Sequence, residues 1–501
     1  MENKKKSFQL PSAFTILFII IAIIAVLTWV IPAGSYKVDD AGSIIAGSYS
    51  SVESNPQGLW DLFMAPVNGM LGTETTDGAI QVSFFILIIG GFLGVVTHTG
   101  ALEAGIGAIV RRFKGYEKLL IPVLMFLFAL GGSTYGMAEE TMPFYAMLIP
   151  VMLAVGFDTV TAVAIVLVGS QVGCLASTVN PFATGVASSA AGISMGQGMG
   201  LRILMFVILV SISIWYVYSY ASKIEKDPTK SLVHSQRDED YKHFRVDSIE
   251  QAGEITTKQK LVNGVFFFTF GLMIFSLIPW ADLIPGFGKF LESSTTWLTE
   301  LPIIGVLLGQ SIVPLGSWYF SEITMLFIVM AIIVAIIYGM KESEFISSFI
   351  GGAADMVSVA LIVAVARGIQ VVMNNALITD TILHWGEQGL SSLSSSFFII
   401  LTFIFYLPMS FLIPSTSGLA AATMGIMAPM GELANVSKDL VITAYQSASG
   451  ILNLITPTSA VVMGALAIAR FNIGTWWKFM AKLIAIQLVV IIVILGLAAI
   501  F

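Results

Sequence analysis

Charge is what this chain has least of. Only 11% of its 501 residues are Asp, Glu, Lys or Arg, against 56% that are hydrophobic. A water-soluble domain carries about 25% charged residues, so a soluble globular protein is excluded. No basic stripe signals a nucleic-acid partner. Cysteine is almost absent: Cys174 stands alone, which excludes an intrachain disulfide and a thiolate metal cluster. The four histidines, His98, His234, His243 and His384, are scattered and suggest no metal site, and no cofactor is expected. Paired catalytic aspartates, a Ser/His dyad and a large sensory domain are missing too, which speaks against an intramembrane enzyme or a receptor.

What the chain does have is apolar length. Mean hydropathy is +0.89, and runs such as Ala13 to Pro32 and Lys482 to Phe501 recur along it. A run of about 20 such residues crosses a bilayer core as a helix. The expectation is an all-α, polytopic, multi-pass cell-membrane protein surrounded by lipid. Lys4, Lys5 and Lys6 before the first run place the N-terminus inside, and that run is too long for a signal peptide. The acidic loop 34–79 is expected outside, and Arg111, Arg112, Lys114 and Lys118 inside. The polar segment 223–260, with eight Lys or Arg, reads as a cytoplasmic linker between a first half, 1–222, and a second half, 261–501. Arg470, Lys478 and Lys482 mark a last internal loop and leave the C-terminus outside. Trp476 and Trp477 read as interface anchors.

A ten-residue stretch occurs twice. Ser133-Thr134-Tyr135-Gly136-Met137-Ala138-Glu139-Glu140-Thr141-Met142 returns as Ser415-Thr416-Ser417-Gly418-Leu419-Ala420-Ala421-Ala422-Thr423-Met424, 282 positions later. Pro181 and Pro457 are 276 positions apart, as are Val95 and Val371. A common spacing for separated segments argues for duplication rather than for the general likeness of apolar helices. With the loops as assigned, the span near 81–99 runs inward and its partner near 350–373 runs outward, an inverted-topology repeat. Segments 117–156 and 395–432 are too short for two full crossings and read as re-entrant hairpins, the first on the inner side, the second on the outer. The tally is about nine transmembrane helices plus the two hairpins.

Small polar residues at membrane depth carry the candidate site. Glycine around Ser133, Thr134 and Tyr135 permits positive φ and close backbone approach, and Ser415, Thr416 and Ser417 repeat the pattern. Small-residue helix packing is the competing explanation. Asn180-Pro181 and Thr456-Pro457 each interrupt an apolar run, and proline frees a carbonyl there. Broken helices present carbonyls to cations and N–H groups to anions. Ser177, Thr178 and Asn180 on one side, and Asn453, Thr456, Thr458 and Ser459 on the other, add polar side chains. Glu139 and Glu140 are the sharpest signal, because an ionised carboxylate at this depth is costly unless it is used or paired. They suit a cationic substrate group or a proton. Arg367, in an otherwise apolar stretch, suits a substrate carboxylate or neutralises a glutamate. Asp355 and Asp380 rank lower, and Tyr135 and Cys174 are placed near the site without being diagnostic.

The stretches Gly131 to Thr141 and Ser177 to Gly185 resemble the YfcC family, grouped with the DcuC-type anaerobic dicarboxylate carriers in the ion transporter superfamily. The resemblance covers nearly the whole chain. It implies two inverted repeats, two re-entrant hairpins and broken helices around a central site, in a homodimer whose transport domain moves as an elevator. Some relatives are described as dicarboxylate carriers and YfcC-like ones as basic amino-acid antiporters, including arginine/ornithine exchangers. The residues favour the second: Glu139 and Glu140 against a single Arg367 suit a substrate bearing an amine or guanidinium as well as a carboxylate. The superfamily's Ser-Asn-Thr sodium signature is only approximated by Ser177-Thr178 and Asn180. The expected function is therefore secondary transport of an amino acid, arginine/ornithine antiport first, with proton- or sodium-coupled transport of C4-dicarboxylates, other carboxylates or peptides as the alternative.

Overall fold

A computed structural model of the chain describes residues 13–37, 45, 47–76, 78–102, 104, 105, 116–246, 255–278, 280–309, 311–390 and 394–500. Lys4 to Lys6, Arg111, Arg112 and Lys114, on which the expected orientation leans, lie outside them, as do the side chains of Tyr135 and Glu140.

The described residues are almost entirely helical. In chain order come α1 (Ala13–Leu27), a two-residue strand pair β1 (Gly34–Ser35) and β2 (Ser50–Ser51), α2 (Leu59–Leu71), α3 (Ile80–His98), α4 (Leu120–Tyr135) and α5 (Met142–Ala154). Next are α6 (Thr159–Leu175), α7 (Val186–Ala191), α8 (Met199–Lys226), α9 (Arg237–His243), α10 (Thr257–Leu277) and α11 (Pro285–Glu300). The chain closes with α12 (Phe320–Tyr338), α13 (Glu342–Asp355), α14 (Val357–Asn375), α15 (Thr379–Leu390), α16 (Ser395–Leu412), α17 (Thr416–Leu433), α18 (Lys438–Asn453), α19 (Ala460–Ala469) and α20 (Ile473–Ala498).

Where about nine full spans were expected, seven helices among the described residues are long and apolar enough to cross a membrane, namely α3, α8, α10, α12, α14, α16 and α20, and five shorter apolar helices accompany them. The arms of the first hairpin, 16 and 13 residues, rise about 24 and 20 Å at 1.5 Å per residue, less than a hydrocarbon core of about 30 Å. Side chains such as Val207, Trp215, Ile336 and Val489 stand exposed along the long helices. A surface so apolar suits a bilayer and not water.

Caps set the element ends. Asp158 accepts from the Thr161 N–H and opens α6, Thr256 and Gln259 cap α10 reciprocally, and Asn472 caps α20. Gly136, at φ 79°, closes α4 in the left-handed region that glycine tolerates best. Inside α6 the stretch Ala164–Val168 widens into a π-helical turn.

The chain forms two compact units: one holds the residues up to Ala79 and from Leu361 onward, the other Ile80 to Ala360. In the second unit α3 meets α13 where Gly90 and Gly94 face Gly352, and a methyl group at any of the three would overlap backbone atoms of the other helix. Phe85, Phe92, Phe266, Phe270 and Phe327 form an aromatic network behind that crossing. In the first unit Gly69 of α2 abuts Ala364 and Gly368 of α14.

Candidate functional site

In the unit spanning Ile80 to Ala360, the first hairpin and the first helix break come together. Gly132, Gly169 and Gly173 bring the backbones of α4 and α6 into direct contact, so the small-residue packing considered as the competing explanation is present as well. That contact holds the polar groups of the hairpin tip against those of the break. Ser133, at the end of α4, donates through Oγ to the Ala176 carbonyl at 3.1 Å and lies 3.1 Å from Thr178 Oγ1. The Ser133 carbonyl accepts the N–H groups of Thr178 and Val179 at 3.0 and 3.2 Å. Asn180 caps the turn that Pro181 opens, accepting from the N–H groups of Phe182 and Ala183 at 2.8 and 3.1 Å. Its amide also donates to Ser177 Oγ at 3.2 Å. The Asn180 side chain sits against Gly136, where a Cβ would come within 2.6 Å of it. Cys174 Sγ approaches the Met137 carbonyl at 3.8 Å. Thr134 only bonds back along its own helix, to the Leu130 carbonyl.

Glu139 begins the single 3-10 turn Glu139–Thr141 that joins the tip to α5, and it is half-buried. The structure thus places this carboxylate three residues beyond Gly136, at a tip braced by the first break.

The unit containing Leu361 onward repeats the arrangement with other partners. Ser415 caps α17 by accepting the Gly418 N–H at 3.2 Å. Thr416 is held from α18: Tyr445 donates to its carbonyl at 2.5 Å, and Asn453 Nδ2 lies 3.4 Å from its Oγ1. Ser417 comes next in the first turn of α17, half-buried. Thr456 and Thr458 bond each other at 2.8 Å inside the break, both buried. Arg367 lies half-buried on α14, one turn before Gln370. The Gln370 amide packs against Gly418 at the start of α17. Gln370 Oε1 and Asn453 Oδ1 are buried acceptors without a protein donor, the kind of group that needs an explanation.

Three features escaped the sequence reading. Arg202, the fourth residue of α8, is fully buried and donates through Nη2 to the carbonyls of Met195 at 2.6 Å and Thr178 at 3.4 Å. Its signal, one arginine in an apolar run, is the one that drew attention to Arg367. Gln370 carries no motif. Trp476 and Trp477 are not interface anchors alone: their indoles donate to the Leu454 and Ile455 carbonyls of the second break at 2.7 and 2.8 Å, and Trp476 is fully buried.

The ten-residue likeness falls at different places in the two hairpins. Tyr135 and Leu412, which end α4 and α16, are 277 positions apart, whereas Ser133 and Ser415 are 282 apart. Ser133 closes the first arm of its hairpin, and Ser415 caps the second arm of the other. Serine serves either place.

Several known proteins are similar to this chain. The family described as the C4-dicarboxylate anaerobic carrier, DcuC, matches residues 10–499. An uncharacterized protein of Haemophilus influenzae is 30% identical, with 97% of this chain and 96% of that protein aligned. A protein of Escherichia coli K12, provisionally named basic amino acid antiporter YfcC, is 29% identical over 96% of this chain and 94% of its own length. Among solved structures, the Alcanivorax borkumensis YdaH transporter aligns over 97% of this chain and 98% of its own, at 17% identity and a TM-score of 0.42.

Proposed function

This chain belongs to the DcuC family of anaerobic C4-dicarboxylate carriers, a family of membrane transporters and not of enzymes, and we propose that it exchanges basic amino acids, arginine against ornithine, across the cell membrane. The observation that carries this reading is the pair of buried oxygens, Asn453 Oδ1 and Gln370 Oε1, beside the first turn of α17. Acceptors left open at that depth suit a ligand rich in N–H donors, and the α17 N-terminus suits its carboxylate. Glu139 or Glu140 is expected to supply negative charge for a side-chain cation. The name of the Escherichia coli relative points the same way.

In this reading the two halves are inverted repeats, each made of a hairpin, a broken helix and a final helix, and the protein works as a homodimer with an elevator motion. Charge-for-charge exchange needs no ion gradient when only the loaded carrier crosses.

A second reading has its own support. Arg367 on α14 suits a substrate carboxylate, and the family's description names C4-dicarboxylates.

Counterflow in proteoliposomes decides. Vesicles loaded with unlabelled ornithine should accumulate labelled arginine, and empty vesicles should not. Glu139→Gln or Glu140→Gln should lower that uptake at least about tenfold, equivalent to about 1.4 kcal/mol, in protein that still folds. Absence of arginine uptake under every loading and ion gradient, with exchange of succinate or fumarate instead, would replace the first reading by the second.

A further inference from the structure

The segment 278–319, between α10 and α12, carries none of the candidate site residues. α10 and α12 are each long and apolar enough to cross a membrane. The Ser276 carbonyl, in the last turn of α10, accepts the N–H groups of Gly316 and Trp318 at 2.9 and 3.3 Å. The segment therefore begins and ends at one membrane face. Within it lies α11. At 1.5 Å per residue its 16 residues make about 24 Å, less than a hydrocarbon core of about 30 Å. α11 is not a further span.

Its sequence is two-faced. At about 100° per residue, Phe287, Phe290, Leu291, Trp297 and Leu298 fall on one side, and Lys289, Glu292, Thr296 and Glu300 on the other. In a globular fold such an apolar stripe faces the core. Here no residue of α11 is buried, and Phe290 and Trp297 stay 62% and 60% exposed. Ile303, Val306 and Leu307, just beyond the helix, are more exposed still. The start of α11 is nonetheless fixed in place. Phe287 packs on Phe275 of α10 and on Trp280, with ring centroids 6.2 and 5.3 Å apart. Trp280 in turn donates Nε1 to the Phe275 carbonyl at 2.8 Å. α11 is thus held to the last turn of α10, the level at which an apolar helix reaches the membrane surface.

We infer that α11 is an interfacial helix that lies along the bilayer surface, with its apolar stripe sunk between headgroups and acyl chains. The occupant of the stripe is the lipid in which α10 and α12 stand. Phe267, Phe268, Met325 and Val329 of those two helices are exposed and apolar, as a lipid-facing surface requires, and through Phe275 and Phe287 the stripe of α11 joins it. Tryptophan at position 297 suits that depth. The polar side, with one lysine and two glutamates, gives no pull towards anionic lipid, so apolar burial is the driving term. The contact holds the adjoining ends of α10 and α12 at a set depth. It lies outside the candidate site and is independent of the cargo.

The test uses the purified full chain, with Cys174 replaced by serine, in phosphatidylcholine vesicles. Nitroxide labels are placed at Phe290→Cys and Trp297→Cys on the apolar side, and at Lys289→Cys and Thr296→Cys on the polar side. Power saturation is read with oxygen, which concentrates in lipid, and with a water-soluble nickel chelate. The first pair should favour oxygen and report a depth of about 5–10 Å into the headgroup boundary, and the second pair should favour nickel. Phe290 neighbours Phe287, with ring centroids 6.1 Å apart. If Phe290→Cys does not fold, Val306→Cys takes its place with the same expectation. Nickel access at all four positions would overturn the inference, because the helix would then stand in water. Oxygen preference at all four would overturn it as well, since the helix would be immersed in the acyl core. Exclusion of both reagents from Phe290→Cys and Trp297→Cys, with dipolar broadening between labels, would show a second copy of the chain on that face instead of lipid. None of these readings depends on what is transported, so arginine counterflow is judged separately.

Discussion

Asp380 opens α15 and accepts the Tyr36 backbone N–H at 3.0 Å. Around it stand Tyr36, which donates to Glu387 at 2.7 Å, and His384, 3.1 Å from Glu387 and stacked on Tyr49. Burial lifts the Asp380 carboxyl above the usual carboxylate range, and the Tyr36 N–H only partly offsets it. Burial and the Glu387 carboxylate push the Tyr36 hydroxyl far above its ordinary range, so it remains a donor. The sign comes from linkage. With the folded value above the unfolded one, the stability this group contributes is complete below the unfolded value and is lost as pH rises through the folded one. Ionising Asp380 in the folded protein is therefore a cost, which grows as pH rises. Asp380→Asn keeps an acceptor for Tyr36 and removes the charge. It should raise the unfolding temperature at pH 7, and the gain should shrink as pH is lowered towards 4. A gain that does not change with pH would show that ionisation is not its cause. At this scale the sequence singled out Ser133, Asn180, Thr416 and Asn453, because small polar residues stand out in an apolar run. Gln370 stayed hidden, since what marks it is its approach to Gly418 on another element, which has no trace in local pattern, whereas Arg202 carried the signal of a lone arginine in an apolar run and was passed over.

Helices were legible by the length of their apolar runs, and the breaks by Pro181 and Pro457. The tips were less so. The same Gly, Ser and Thr residues end α4 at Gly136 and begin α17 at Ser415, and composition does not say on which side of a turn a serine falls. Glycine in these helices serves two purposes that spacing cannot separate. Gly173 of α6 lies so close to the Ala129 carbonyl that a methyl group would overlap it, while Gly271 of α10 faces open space. Gly173→Ala should force α4 and α6 apart and cost about 1–3 kcal/mol, the usual range for overpacking. It should lower exchange as well, because Ser133 and Thr178 depend on that contact. Gly271→Ala should instead stabilise the protein by about 0.5–1 kcal/mol and leave exchange unchanged. Thermal unfolding of the two variants, measured side by side, checks both. Equal effects would mean that the crossing of α4 and α6 is looser than described.

For the whole molecule the question is sidedness. The linker and the first hairpin share one side of the membrane, because Tyr241 donates to the Leu153 carbonyl, Ser231 to Asp158, and Lys118 pairs with Glu225. The loop around β1 and β2 shares a side with α15, through Tyr36 with Asp380 and Tyr49 with Thr381. Between that loop and the base of the first hairpin the chain passes through α3, an apolar helix of 19 residues. If α3 crosses the membrane, the bases of the two hairpins are expected to be labelled from opposite faces, the outcome that inverted repeats require. The lysines and arginines of the linker give the expectation that the first group is inside. Tyr116, exposed before α4, and Ser394, exposed before α16, mark the two bases. With Cys174 replaced by serine, Tyr116→Cys should react with an impermeant maleimide only from the cytoplasmic face, and Ser394→Cys only from the other. Labelling of both from one face would mean an even number of crossings between them. The halves would then be parallel rather than inverted, and α3 would not span.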